Sequence, residues 1–184
     1  MRLTGRKSFI TGAAKGIGLS VARAFAAEGA AVALADISEE ESKKQSLEIK
    51  ESYGVDAIGV KCDVGDTISV QNAIKETSEA FNGLDTIACM AATLTERLDV
   101  VDLPEDEWNR TLNVNLTGSF LVCKHGIPFL REAGGGSIIL TASQMGQVAW
   151  PGSTAYCTTK GGILQLVKGI ALDHKDENIR CNSI

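Results

Sequence analysis

Tyr156 and Lys160 stand four positions apart in a stretch of helical character, which sets a phenol and an ammonium on one face of a helix. A free phenol, with a pKa near 10, is about one-thousandth ionised at pH 7, and bringing it to neutrality takes about 4 kcal/mol. A neighbouring ammonium supplies stabilisation of that sign, so the pair can run general acid and base chemistry. Taken alone, the same spacing also describes an ordinary surface contact.

A second set of residues can hold a diphosphate. Thr11-Gly12-Ala13-Ala14-Lys15-Gly16-Ile17-Gly18 lies between a short apolar strand and an amphipathic helix, where helix N-terminal amides and the macrodipole attract anions. Gly12 permits a tight turn, Gly16 lets a diphosphate approach the backbone, and Gly18 lets the helix pack closely on the sheet. No Lys-Ser or Lys-Thr follows the glycines, which excludes a P-loop. Asp36 ends the second apolar strand, 24 positions after Gly12, where a carboxylate can accept hydrogen bonds from a ribose diol. Its other reading is a helix cap, a task that Ser38 can perform by itself. A carboxylate there repels a 2′-phosphate and argues for NAD over NADP. Lys15 argues mildly the other way, and Asp36, which would sit on the ribose oxygens, carries more weight.

The elements that must position these residues alternate along the chain. The patterns predict strands over 7–11, 31–35, 56–62, 85–91, 137–141 and 180–184. They predict helices over 17–28, 38–53, 66–82, from 104 or 105 to 130, and 153–174. Short continuous apolar strands between helices imply right-handed crossovers, a parallel sheet and helices on both faces. Gly134-Gly135-Gly136 is a tight loop between a helix and a strand. The expectation is one α/β domain over residues 1–184.

Composition narrows the function. The chain has 184 residues, 44% hydrophobic and 22% charged, with three prolines, which excludes disordered and fibrous classes. Its net charge of −5, without any basic run, gives no footprint for nucleic acid or anionic lipid. No apolar run is long enough to span a membrane, and the start lacks a signal-peptide pattern, so the sequence reads as cytoplasmic. Cys62, Cys89, Cys123, Cys157 and Cys181 form no C-x-x-C pair and suit reduced core thiols. With only His125 and His174 beside them, no metal site is expected.

Taken together, the glycine turn, Tyr156-Cys157-Thr158-Thr159-Lys160 and Ser143, thirteen positions before the tyrosine, closely resemble the short-chain dehydrogenase/reductase family. The resemblance runs through Asp63-Val64, Asn113-Val114-Asn115-Leu116-Thr117-Gly118, Gly136-Ser137-Ile138-Ile139 and Ile179-Arg180-Cys181-Asn182-Ser183. It implies a Rossmann-type doubly wound sheet, an NAD(P)(H) cofactor with NAD preferred, and hydride exchange with a secondary alcohol or ketone. Tyr156 resembles the general acid of reduction and the base of oxidation. Lys160 would lower its pKa and hold the nicotinamide ribose, Ser143 would bind the substrate oxygen, and Asn115 would position a water linking Lys160 to solvent. Asp63 and Val64 would meet the adenine. Gly12, Lys15, Gly16, Ile17, Gly18 and Asp36 complete the cofactor set. The family's usual homodimer or homotetramer, built through its long helices, is implied as well. Trp108 reads as a packing residue, and Trp150, in the loop before the Tyr156 helix, as packing or substrate contact.

Two departures stand out. Where the family carries Asn-Asn-Ala-Gly after the fourth strand, this chain has Cys89-Met90-Ala91-Ala92, so Cys89 would meet the adenosine through its backbone alone. The family's substrate lid, further helix and last strand beyond the strand matching Arg180 to Ile184 are not in the sequence, which reads as C-terminally truncated. A truncated, non-catalytic nucleotide-binding or interaction module is therefore the alternative function.

Overall fold

The computed structural model describes all residues from Met1 to Ile184. Strand β1 (Lys7–Thr11) leads into helix α1 (Gly16–Ala27). There follow β2 (Ala31–Asp36), α2 (Glu39–Tyr53), β3 (Ala57–Lys61), α3 (Thr67–Phe81) and β4 (Thr86–Cys89). Next come α4 (Glu105–Leu112), a π-helical turn (Asn113–Thr117), α5 (Gly118–Glu132), β5 (Gly136–Leu140), α6 (Thr154–Asp173) and β6 (Ile179–Ser183). Short 3₁₀ turns at Gln144–Gly146 and Lys175–Glu177, which periodicity does not reveal, flank α6.

The six strands form one parallel sheet in the order β3-β2-β1-β4-β5-β6. This is the doubly wound order, and the crevice at the carboxyl ends of β1 and β4, where the winding reverses, is where such sheets bind ligands. Alternate residues of each strand serve opposite faces. Phe9, Ala33, Ala35, Ile87, Ile138 and Leu140 pack with Ile74, Val122, Leu130 and Ile163 of α3, α5 and α6. Ile10, Val32, Leu34 and Ala88 pack on the other face with Ala22, Ala26 and Ile49 of α1 and α2. Burial of each large side chain contributes roughly 1.5–3 kcal/mol.

Local chemistry sets several element ends. Three glutamates open α2, complementing its dipole, and Gly54 closes it in the left-handed conformation at φ 67°. Asp66 caps α3 by accepting from the Ser69 amide at 2.6 Å. Ser38 stands at the cap position of α2 but its hydroxyl makes no capping bond. The Ser38 amide instead donates to Asp36. Strand β4 stops at Cys89, two residues earlier than its pattern predicts, because the amides of Met90 and Ala91 leave the ladder and both donate to Thr11 Oγ1 at 3.1 Å. The helix expected from 104 or 105 to 130 is broken by the π turn, where the Gly118 amide reaches back to Asn113 O. It also continues to Glu132, past Pro128.

Candidate active site

The glycine turn is shaped by close backbone approach. Gly12 has φ +63°, and a Cβ there would lie 2.8 Å from the backbone of Ala91. At Gly18 it would lie 2.2 Å from Gly12 O. Gly16 has φ +60° with open space above it, the geometry a diphosphate needs. Lys15 occupies the cap position of α1 without a side-chain capping bond, so the first-turn amides, which a helix leaves without partners, face the crevice. Ile17 is 72% exposed beside them.

Asp36 joins this turn to β2. Its carboxylate accepts from Ala14 N at 3.1 Å and from Ser38 N at 3.0 Å, and it lines a cleft of about 700 Å³ together with Gly12, Lys15, Gly18, Asp63 and Val64. Asp36 thus fixes the turn before α2 without bonding any first-turn amide of that helix, and still faces the cleft. Asp63 accepts from the Gly65 amide at 2.9 Å, and the Val64 amide has no acceptor within the chain. Cys89 adds no surface to the cleft. Its thiol lies in the core and its backbone oxygen accepts from Thr141 N and Oγ1, whereas Met90, Ala91 and Ala92 line the wall. An uncapped helix start, open space over Gly16, a carboxylate at the strand end and a free amide at Val64 together fit a dinucleotide. The cleft volume lies within the range of small-molecule sites.

The acid-base pair sits on α6. Lys160 is only 2% exposed, and its ammonium donates to Thr141 O at 2.6 Å. Burial holds its pKa below the ordinary lysine value. The same nitrogen lies 5.4 Å from the centre of the Tyr156 ring. An ammonium has three donors, so two remain for other partners. Ser143, extended at φ −170° just past β5, accepts from Met145 N at 3.1 Å, leaving its own hydroxyl hydrogen to donate.

Asn115 is buried in the π turn with its carboxamide fully engaged. Oδ1 accepts from Thr93 N at 2.7 Å, and Nδ2 donates to Thr93 O at 2.9 Å and to Thr159 Oγ1 at 3.4 Å. Thr159 in turn donates to Tyr156 O at 2.8 Å. The side chain therefore ties the segment after β4 to the helix bearing Tyr156, and its own backbone oxygen accepts from Ser119 Oγ at 2.9 Å.

Sequence reasoning missed Thr141 and Arg110. Thr141 contributes mainly a backbone oxygen, which no residue type advertises. Its place directly after β5, two residues before Ser143, was the available signal. Arg110 lines the cleft from the last turn of α4, and its spacing of three from Glu107 marked a fixed guanidinium.

Comparison with known proteins agrees with this geometry. The sequence pattern of a family described as Enoyl-(Acyl carrier protein) reductase matches residues 12–184. The 2,5-dichloro-2,5-cyclohexadiene-1,4-diol dehydrogenase LinX of Sphingobium indicum is 38% identical over 183 residues, covering 100% of this chain and 72% of that protein. D-threitol dehydrogenase of Mycolicibacterium smegmatis is 34% identical over 183 residues, covering 100% and 70%. Among solved structures, NAD⁺-bound xylitol dehydrogenase superposes with a TM-score of 0.95 at 33% identity, covering 100% of this chain and 70% of the other. Carveol dehydrogenase from Mycobacterium avium in complex with NAD gives 0.95 at 29%, covering 99% and 70%. A doubly wound sheet with a glycine turn at its switch point, a tyrosine and a buried lysine one helical turn apart, and relatives that align along the whole of this chain and about 70% of their own length agree on one conclusion: the chain belongs to the short-chain dehydrogenase/reductase family.

Proposed function

We propose that this protein is an NAD(H)-dependent oxidoreductase that moves a hydride between the cofactor and a secondary alcohol or ketone, with Tyr156 as general acid and base. The observation that carries the reading is the buried Lys160 ammonium, 5.4 Å from the Tyr156 ring, in a fold whose cleft of about 700 Å³ is lined by the glycine turn and Asp36. NAD, when bound, supplies the hydride acceptor or donor.

The remaining chemistry belongs to side chains. In oxidation Tyr156 Oη takes the alcohol proton, and Lys160 stabilises the phenolate charge that develops. In reduction Tyr156 returns that proton to the carbonyl oxygen, and the free hydroxyl hydrogen of Ser143 meets the same oxygen as it becomes negative. Thr141 O holds Lys160 in place, and Asn115 fixes the segment after β4 against α6. Gly12, Gly16, Ile17 and Gly18 receive the diphosphate at the start of α1, with Lys15 at its edge. Asp36 takes the adenosine ribose, and Asp63 and Val64 take the adenine.

NAD is bound by two structural relatives, and Asp36 supports it over NADP. The names of relatives, a cyclohexadienediol and a threitol dehydrogenase, support a small hydroxylated substrate. Residues 1–184 act as one dinucleotide-binding and catalytic unit, and the intact proton-handling pair disfavours a non-catalytic module. Phe120, Ile127, Leu166 and Ile170 line a groove between α5 and α6 that suits a homodimer or homotetramer. No helix is long and apolar enough to cross a membrane, and four of five free thiols are buried, in keeping with a cytoplasmic protein.

NADH-dependent reduction of a panel of cyclic and acyclic ketones tests the reading. Tyr156→Phe is expected to lower kcat by about 10²–10⁴-fold while NADH binding persists. Unchanged turnover in that variant rules out Tyr156 as the proton donor.

A further inference from the structure

Arg110 lies in the last turn of α4, outside the expected catalytic and cofactor sets, yet it lines the cleft. Its guanidinium makes contacts on two sides. Nε and Nη2 donate to the two oxygens of Glu107 at 3.1 and 2.7 Å, a two-point contact that fixes the plane of the fork. Nη1 then donates to Thr93 Oγ1 at 2.5 Å, and Nη2 reaches Leu94 O at 3.3 Å. Thr93 is the residue whose amide and carbonyl are both bound by the Asn115 carboxamide.

These bonds form a continuous path. Glu107 orients Arg110, Arg110 holds the Thr93 hydroxyl, Asn115 holds the Thr93 peptide, and Thr159 joins Asn115 to the backbone oxygen of Tyr156. Both Thr93 and Arg110 face the cleft, so the path runs from the cofactor wall to the acid-base helix. The segment after β4 has no ladder bonds of its own, because the Met90 and Ala91 amides are turned to Thr11. Its position therefore depends on side chains. An exposed Arg–Glu pair by itself contributes little stability, so a guanidinium held in this geometry points to placement of the wall.

We infer that Arg110 is a positioning residue for hydride transfer, clamping Thr93 and Leu94 so that the cleft wall and Tyr156 keep a fixed separation. The inference rests on the NAD(H) oxidoreductase reading above. It implies that the Thr93 hydroxyl acts through the Arg110 guanidinium and is without effect once the guanidinium is removed.

The test is NADH titration by fluorescence together with steady-state kcat and KM, on the unmodified protein, Arg110→Met, Arg110→Lys, Thr93→Val, and the Arg110→Met/Thr93→Val double variant. Arg110→Met and Thr93→Val are each expected to lower kcat/KM and NADH affinity by about tenfold, the size of one charge-assisted hydrogen bond. The double variant is expected to lose no more than Arg110→Met alone, and Arg110→Lys to recover part of the loss. Independent action of the two side chains would make the losses multiply, and a merely structural role would lower the urea midpoint without moving kcat or NADH affinity. Multiplying losses, or unchanged affinity and kcat in Arg110→Met, overturn the inference. Should Arg110→Met fail to fold, Thr93→Val removes the same bond from the other side, and wild-type kinetics in it are equally decisive. If the unmodified protein does not bind NADH, the oxidoreductase reading fails and this inference with it. Normal NADH binding with an indifferent Arg110 removes the inference alone.

Discussion

The backbone oxygen of Thr141 accepts a 2.6 Å hydrogen bond from the ammonium of Lys160. Thr141 is itself anchored, because its amide and hydroxyl both donate to Cys89 O, at 3.2 and 2.8 Å. The end of β4 thus sets the position of the end of β5, and that in turn sets the position of the lysine beside Tyr156.

Because Lys160 is buried, its pKa is held below 10.5, and the folded state carries an ammonium that burial disfavours. Between the lowered pKa and 10.5 the unfolded chain binds more protons, so this group makes stability rise with pH across that window and fall again as pH drops through the folded-state pKa. Lys160→Met removes the effect. Urea midpoints of the two proteins from pH 7 to 10.5 should converge toward, or move in favour of, the unmodified chain as pH rises. A constant difference would count against a buried charge. Turnover of Lys160→Met should fall by about 10²-fold or more.

The glycines of the turn should separate by mechanism. Gly18→Ala drives a methyl into Gly12 O, where the obstacle is backbone, and is expected to cost about 3 kcal/mol or prevent folding. Gly16→Ala meets no atom within 4 Å but must hold φ +60°, at about 1–2 kcal/mol, and its methyl would stand where a diphosphate approaches. Urea unfolding should rank Gly18→Ala as the more damaged fold. NADH titration should find Gly16→Ala weakened beyond its stability loss.

Asp36→Asn removes the charge that repels a 2′-phosphate and weakens acceptance from Ala14 and Ser38. The ratio of kcat/KM for NADH over NADPH is expected to fall by about tenfold or more, with exposed Lys15 free to meet the phosphate. An unchanged ratio means that discrimination resides elsewhere.

Thiol reactivity should single out Cys157. Burial, with Asp63 and Asp36 nearby, pushes the Cys62 thiol up to about 12, and burial with Cys123 nearby does the same for Cys181. A hydrogen bond with Cys89, and then burial, raise Cys123 well above the usual range. Iodoacetamide at pH 8, followed by peptide mass spectrometry, should label the half-buried Cys157 first and the others only after unfolding. Native labelling of Cys62 or Cys181 at a comparable rate would contradict the burial of these thiols.

The sequence by itself determined the order and type of the regular elements, the glycine turn and the i, i+4 pair of Tyr156 and Lys160. Each of these is written in local spacing: apolar runs of strand length, 3.6-residue periodicity, and glycines where only glycine can turn. Tertiary structure alone decided what the side chains between those signals do. The π turn that aims Asn115 at Thr93, the loss of β4 ladder bonds to Thr11, the bond from the Ala14 amide to Asp36, and the hold of Thr141 on Lys160 all depend on partners distant in the chain. Arg110 belongs with them, since its neighbour Glu107 is visible in the sequence and its object, Thr93, is not. Periodicity reports which face of an element is buried, but a backbone oxygen or a loop amide finds its partner only when separate elements meet.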